Sequence, residues 1–381
     1  MSKEFTFDFE GRKFKVPQTA LAASTFEVQS SPKPYLVSTS IASNPFSEIE
    51  ELLSQNPNNV LLIDKKVYEL YKANSIIDSN RVFLAEASEE FKTLDGAIKV
   101  IDFLCDRGFT KGETLIVVGG GIIQDVGAFV GACYKRGIKW ILFPTTLLSM
   151  CDSCIGGKSG INYRNAKNQI ALFSAPYKVI ININFLKTLE QFHLQSGLGE
   201  ILKLLVLGGK DFFNTYLKNV NNGKLRDFNN YFELILASLN VKKAVIEVDE
   251  FEFNYRKSLN YGHTFGHAIE ALSSYQIPHG LAVVIGMMLV NELSCTNNVL
   301  NVDENDIISQ QCRDLLTDDI MNIMANIDLA KLIALLKKDK KTKGSILNLV
   351  FLEKIGKTIG YESDLNGKFK DNVNEILKKL F

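Results

Sequence analysis

Thr114-Leu-Ile-Val-Val-Gly-Gly-Gly121 is an apolar run of strand length that empties into three consecutive glycines. A run without a charge reads as a strand buried on both faces, the kind a parallel sheet contains. The glycines let the backbone turn tightly into the next segment, which reads as a helix through about Tyr134. Working outward, the same rhythm recurs on both sides. Val60–Asp64 is a short apolar strand followed by helical spacing over Lys66–Lys72, and Arg81–Leu84 is a second short strand. Between Leu94 and Arg107 the residues Ile98, Val100, Ile101 and Leu104 fall near a 3.6 period, so a helix is expected. Lys139–Phe143 reads as the next strand and stops at Pro144. Strand and helix in alternation argue for an α/β nucleotide-binding domain with a parallel sheet.

From about Lys187 the strand signals thin out. Helical periods dominate over Gln195–Leu207, Tyr231–Val248, Ser258–Leu272, Ala282–Glu292 and Leu329–Lys338, with one late strand at Ile346–Leu352. The expected division is an α/β domain over residues 1–185 and a mainly α-helical domain over 186–381. The opening 35 residues, with Gln29-Ser-Ser-Pro-Lys-Pro34, read as irregular.

Composition bounds the function. With 381 residues, 46% hydrophobic and 23% charged, the chain is long enough for two packed cores, and disorder or collagen is excluded. Forty-three basic residues balance 43 acidic ones, so no long-range field draws nucleic acid. The longest clean apolar run, Gly280–Val290, is shorter than the roughly 18 residues of a bilayer span. The first residues carry acids and no apolar core of a secretory leader. Six cysteines in a chain this long make no disulfide framework, and a cytoplasmic location is expected.

Five features carry chemistry. Three glycines opening a helix can bring backbone N–H groups to a phosphate; a tight strand-to-helix turn is the plainer reading. Between Leu198 and Leu207 the charges are Glu200 and Lys203, one helical turn apart in an apolar stretch. They read either as an intrahelical ion pair or as a metal-binding carboxylate beside a substrate-binding lysine. Three of the four histidines fall between 263 and 279, in Arg256-x-x-x-Asn260-x-x-His263-x-x-x-His267 followed by His279. Thr264 after the first histidine rules out the zinc-protease signature, which needs glutamate there. Two imidazoles with a carboxylate and one open position are the pattern of a catalytic zinc. Cys151-Asp-Ser-Cys154 has redox or zinc-knuckle spacing, but no second pair completes a knuckle and the context is not a thioredoxin helix, so coincidence is favoured. The lysine-rich run Lys337–Lys343 reads as solvated surface or as one wall of an anion site.

Together these motifs resemble 3-dehydroquinate synthase, within the sugar phosphate cyclase superfamily. The resemblance rests on Gly119-Gly-Gly-Ile-Ile-Gln-Asp125, Pro144-Thr-Thr-Leu-Leu148, Asp152-Ser-Cys-Ile-Gly-Gly-Lys158-Ser-Gly-Ile-Asn162 and Lys167-Asn168. It continues through Glu200-x-x-Lys203, Asn260-x-Gly-His263-Thr-Phe-Gly-His267-Ala-Ile-Glu270 and His279-Gly. It spans about Asp64 to Gly356 in one order. What it implies is an NAD-dependent, zinc-dependent lyase of the shikimate pathway, with cobalt or iron as alternative metals. Zinc ligation falls to Glu200, His263 and His279. His267, Lys158 and Asn260 match catalytic positions. Asp64, Glu89, Lys92, Gly119, Gly120, Gly121, Asp125, Thr145 and Thr146 match NAD contacts. Arg136, Asp152, Asn168, Lys203, Lys242 and Arg256 match substrate contacts, with one of Lys340 and Lys341.

The implied substrate is a phosphorylated seven-carbon sugar acid, whose two anionic ends call for several cations. The alternatives are another sugar phosphate cyclase or a metal-dependent polyol dehydrogenase. No nucleic-acid or membrane partner is expected, and a homodimer is compatible with the sequence. The chain departs from the family pattern in three places: Leu281 replaces a glutamate two residues after His279, Gln124 stands where glycine is usual, and Ala171-Leu172 replaces Gly-Ala. Loss of an acid beside a metal ligand is expected to disturb that ligand's orientation.

Overall fold

The computed structural model describes residues 4–31, 33–74, 77–164, 166–338, 342–343 and 346–381. They divide into two compact units, Ala23–Glu190 and a second that joins the residues up to Ala22 to Gln191–Phe381.

Within Ala23–Glu190, seven strands among the described residues form one sheet. Their order is Thr25–Val28, Tyr35–Ser40, Lys178–Asn182, Lys139–Pro144, Thr114–Gly119, Val60–Asp64, Val82–Ala85. Neighbours run parallel except the first pair, which is antiparallel. Every residue of Thr114–Gly119 is buried, as its uninterrupted apolar run requires. From Val60–Asp64 the chain passes to Val82–Ala85 on one side, then returns to Thr114–Gly119 on the other. Strand order therefore reverses between Asp64 and Gly119, and in open α/β sheets ligands bind outside the strand C-termini at such a reversal.

The second unit packs helices around a five-stranded sheet of order Thr342–Lys343, Ile346–Lys354, Lys357–Asp364, Glu4–Phe9, Arg12–Pro17. The irregular opening expected from sequence is corrected here. Phe5, Phe7 and Phe9 alternate inward, Phe14 and Val16 answer them, and Gly11 turns the hairpin at φ +79°. Phe7 stacks on Phe14 with ring centroids 5.1 Å apart, and Phe5 meets Phe212 edge-on at the same distance. Parallel pairing of Glu4–Phe9 with Lys357–Asp364 places this hairpin in the second unit rather than in a first domain beginning at residue 1.

A second correction concerns Ser258–Leu272, which is not one helix. A short 3-10 turn, Tyr255–Asn260, is separated from the α-helix His263–Leu272 by Gly262 at φ +77°. A Cβ at Gly262 would lie 2.7 Å from the Val283 carbonyl oxygen, so the break also permits close packing. The helix His279–Thr296 has the length and mean hydropathy, 1.3, of a membrane-crossing segment. Gly280 through Ser294 are nonetheless all buried within the fold, and a helix apolar on every side is what a core position demands.

Two helices of this unit touch through backbone. A Cβ on Gly280 would stand 1.8 Å from the Ser196 carbonyl oxygen, and one on Gly199 would stand 2.4 Å from the Gly280 carbonyl oxygen. The Gly280 N–H donates to Ser196 Oγ at 3.0 Å. This crossing fixes Glu200, on Gln191–Leu207, next to His279 at the start of the other helix.

Candidate active site

Glu200 is fully buried. Its Oε1 lies 3.3 Å from His279 Nε2 and 3.7 Å from His263 Nε2, and its Oε2 lies 2.6 Å from Lys203 Nζ. His263, His267 and His279 converge so closely that one ligand atom from each lies within 4.8 Å of the others. His263 and His267 share a face of one helix, four residues apart, and Pro278 delivers His279 at the first position of the next. The structure thus brings Glu200, His263 and His279 together and adds His267 to the same cluster.

Imidazole orientation is set from behind. His263 Nδ1 lies 3.2 Å from the Tyr261 carbonyl oxygen, and His279 Nδ1 lies 2.9 Å from Glu270 Oε2. With Nδ1 held from behind, each ring turns its Nε2 toward Glu200. Burial opposes charge on His279, but its contacts with Glu200 and Glu270 raise its pKa to about 10. Burial pushes the Glu200 carboxyl up, yet the Lys203 ammonium and His279 overcome this and hold it well below the usual range. Both Glu200 oxygens are shut away from solvent, one against the Lys203 ammonium and the other against imidazole nitrogens. A buried carboxylate so placed, facing imidazole nitrogens, is a donor set that a divalent cation fits.

Glu270 was absent from the sequence-derived set and answers the concern over Leu281. Leu281 is an apolar core residue, 1% exposed, while Glu270 supplies the carboxylate behind His279. Glu270→Gln is expected to weaken divalent-metal affinity about 10- to 100-fold with the fold intact, read by competition against a chelating dye. Unchanged affinity would remove Glu270 from this role.

The nucleotide-type residues gather at the sheet reversal. Asp64, Gly119–Gly121, Thr145 and Thr146 stand at or just beyond the C-terminal ends of three neighbouring parallel strands. Asp64 accepts the Lys66 N–H at 2.8 Å and so caps a helix. The helix Gly121–Cys133 has Gly120 at its N-cap and no capping side chain, which leaves its first N–H groups for an anion. A Cβ on Gly120 would press 2.9 Å from Thr146 Cγ2, whereas the space over Gly121 is open. This cradle fits the pyrophosphate of a dinucleotide. Gln124 turns away from it: Nε2 donates to the Ser153 carbonyl at 2.6 Å and Oε1 accepts from Ser153 Oγ at 2.9 Å. Lys92 and Asp125 are paired with each other at 2.5 Å.

The remaining expected residues divide between the units. Asp152, Lys158 and Asn168 lie in Ala23–Glu190, the unit that also carries Glu89 and Lys92. Arg136, at φ +62°, instead lines a cavity of about 510 Å3 with Lys33, Lys139 and Tyr177, which none of the other expected residues line. Cys151 and Cys154 are buried and form no disulfide. In the second unit Lys203, Lys242 and Arg256 are buried, and Asn260 lines a cavity of about 910 Å3 with Glu252, Lys257 and Thr264. Glu252, which sequence reasoning missed, accepts from Asn260 Nδ2 and holds φ +64°. Lys340 and Lys341 lie outside the described residues.

The loop that carries Arg256 is organised by Asp249, whose carboxylate accepts the N–H groups of Phe253, Asn254 and Arg256 at 2.8 to 3.0 Å. Burial raises the Asp249 pKa, but these three donors outweigh it and leave the group below its usual value. Its stabilisation is therefore full above about pH 4 and is lost as pH falls through the lower folded-state value. Asp249→Asn should cost about 1 to 3 kcal/mol at pH 7. The gap between variant and wild-type urea midpoints should shrink below pH 4; a gap constant to pH 3 would contradict this.

The comparisons with known proteins agree in kind. The 3-dehydroquinate synthase N-terminal family matches residues 82–196, and the 3-dehydroquinate synthase C-terminal family matches residues 197–342. A 3-dehydroquinate synthase of Pelagibacter ubique is 36% identical over 352 residues, covering 89% of this chain and 94% of that protein. One from Dictyoglomus turgidum is also 36% identical, covering 81% and 86%. Among solved structures, 2-deoxy-scyllo-inosose synthase complexed with carbaglucose-6-phosphate, NAD+ and Co2+ superposes with a TM-score of 0.79 at 19% identity, covering 92% of this chain and 99% of that one. 2-epi-5-epi-valiolone synthase from Streptomyces hygroscopicus, with NAD+ and Zn2+ bound, gives 0.72 at 21% identity, covering 91% and 96%. At those identities the structures share the fold.

Proposed function

Because the chain belongs to the 3-dehydroquinate synthase family, we propose that it converts 3-deoxy-D-arabino-heptulosonate 7-phosphate to 3-dehydroquinate and phosphate, with NAD and a divalent metal. The observation that carries this reading is the fully buried Glu200 carboxylate facing the imidazoles of His263 and His279, with His267 in the same histidine cluster. In this assignment Glu200, His263 and His279 hold the cation, zinc before cobalt or iron, and the Gly119–Gly121 turn holds the NAD pyrophosphate. When bound, NAD accepts and returns a hydride, and the cation acidifies a coordinated alcohol.

The chain's own residues supply the rest. His267 is exposed beside the other imidazoles, which suits it to move a proton at its ring nitrogen. Lys158, Lys203, Lys242 and Arg256 are assigned to the carboxylate and phosphate of the substrate, with Arg136, Asp152, Asn168, Asn260 and Lys340 as further contacts. Burial of Lys203, Lys242 and Arg256 strengthens their attraction for an anion, since little water screens them. Glu252, hydrogen-bonded to Asn260, lines the same cavity and orients that amide. The Ala23–Glu190 unit is assigned the cofactor and the other unit the metal.

The deciding experiment is phosphate release from a substrate panel with NAD and zinc supplied. Release with the seven-carbon sugar acid phosphate and no net NADH is the expected result. Release confined to sedoheptulose 7-phosphate or glucose 6-phosphate would assign a different cyclase, and stoichiometric NADH accumulation from polyols would assign a dehydrogenase.

A further inference from the structure

Asn162, in the strand Lys158–Tyr163, is 8% exposed and has both ends of its side chain engaged. Its Oδ1 accepts the Asn168 N–H at 3.0 Å. Its Nδ2 donates to Glu89 Oε2 at 2.6 Å and to the Glu89 carbonyl at 3.2 Å. Its own N–H donates to the Lys92 carbonyl at 2.8 Å. Glu89 Oε1 in turn holds Lys167 Nζ at 2.7 Å, and Lys167 directly precedes Asn168. The contacts therefore close into a ring: Asn162, Glu89, Lys167, Asn168 and back to Asn162.

The segment inside this ring is irregular. Pairing of Ala166–Phe173 with Lys158–Tyr163 slips between Ala166 and Ile170, and Asn168 sits at φ +54°. Gly160 lies beneath it, where a Cβ would come 2.8 Å from the Asn168 Cβ. A bulge re-aims a side chain, and asparagine tolerates the left-handed region better than most residues. Lys167 and Glu89 have side chains 37% and 42% exposed, and an exposed ion pair adds little by itself. The buried carboxamide, bonded to a charged acceptor, is the member that fixes the geometry.

We infer that Asn162 is a positioning residue that sets the bulge at Lys167 and Asn168, aiming Asn168 at the phosphorylated sugar acid and Glu89 at the dinucleotide. The inference rests on the proposed activity for the roles of Asn168 and Glu89. Asn162 itself touches neither ligand in this assignment.

Asn162→Ala should speed backbone amide exchange over residues 166–170. It should lower kcat/KM by up to about 100-fold, the cost of an error near 1 Å in a binding group. In an Asn168→Ala background, assayed at saturating NAD so that the Glu89 contact does not limit, the same substitution should change kcat/KM less than about twofold, because the substrate group it positions is gone. Asn162→Asp keeps the shape and the acceptor for the Asn168 N–H, but sets a carboxylate against Glu89. It should retain most of kcat/KM for substrate while weakening NAD binding at least about tenfold, and it carries the test if the alanine variant does not fold. Equal losses from Asn162→Ala in the wild-type and Asn168→Ala backgrounds would overturn the inference, as would unchanged exchange over 166–170. A wild-type protein that releases no phosphate from the seven-carbon substrate overturns the proposed activity instead; amide exchange and NAD titration still read the ring.

Discussion

His263→Ala yields a folded protein that binds no divalent metal and falls at least about a thousandfold in turnover. The reasoning is local. The ring of His263 is oriented by the Tyr261 carbonyl and lies 3.7 Å from a Glu200 oxygen, within a cluster where donors are few. A three-ligand site that loses one neutral donor keeps a carboxylate and one imidazole, too few to retain the ion against water. Elemental analysis of the purified variant, beside its thermal melt, checks both halves. Metal stoichiometry near wild type in His263→Ala would remove it from the ligand set. His267→Ala is the informative companion, because its ring joins the same cluster. Retained metal with lost turnover fits a proton-moving role, and lost metal would make the set three imidazoles.

Gly280→Ala acts without touching a ligand and should be nearly as severe. The added methyl would stand 1.8 Å from the Ser196 carbonyl oxygen, a backbone atom that no rotamer change can move aside. Relief requires the two helices to part, and with them Glu200 and His279. We expect a loss of about 3 kcal/mol or more in stability, together with reduced metal content in whatever fraction folds. Urea unfolding of the metal-free protein separates the two effects. A midpoint equal to wild type would mean that the crossing has slack that its close contacts do not suggest.

What could be read from the sequence follows from how local each signal is. Thr114–Gly121 announces its strand and turn because burial on both faces needs an unbroken apolar run, and nothing distant is required. His263 and His267 announce a shared helix face by spacing alone. The hairpin from Glu4 to Pro17 escaped notice although its phenylalanines alternate, since its other neighbour is Lys357–Asp364 at the far end of the chain. Glu270 and Asn162 stand in motifs the sequence displays, yet neither they nor Glu252 had a role assigned from it, for a different reason. Each is an ordinary polar residue whose meaning lies in its partners, and Asn162 and Glu89 are 73 positions apart. Gly262 broke an expected helix because a single residue in left-handed backbone interrupts a period without altering its apolar count.

The parallel pairing of Glu4–Phe9 with Lys357–Asp364 also sets a timetable for biogenesis. At about 5 to 20 residues per second, the ribosome takes on the order of 20 to 70 s between the two strands. Through that interval the Glu4–Phe9 edge of the phenylalanine-rich hairpin lacks its strand neighbour, and the open edge is then a natural client for holding chaperones.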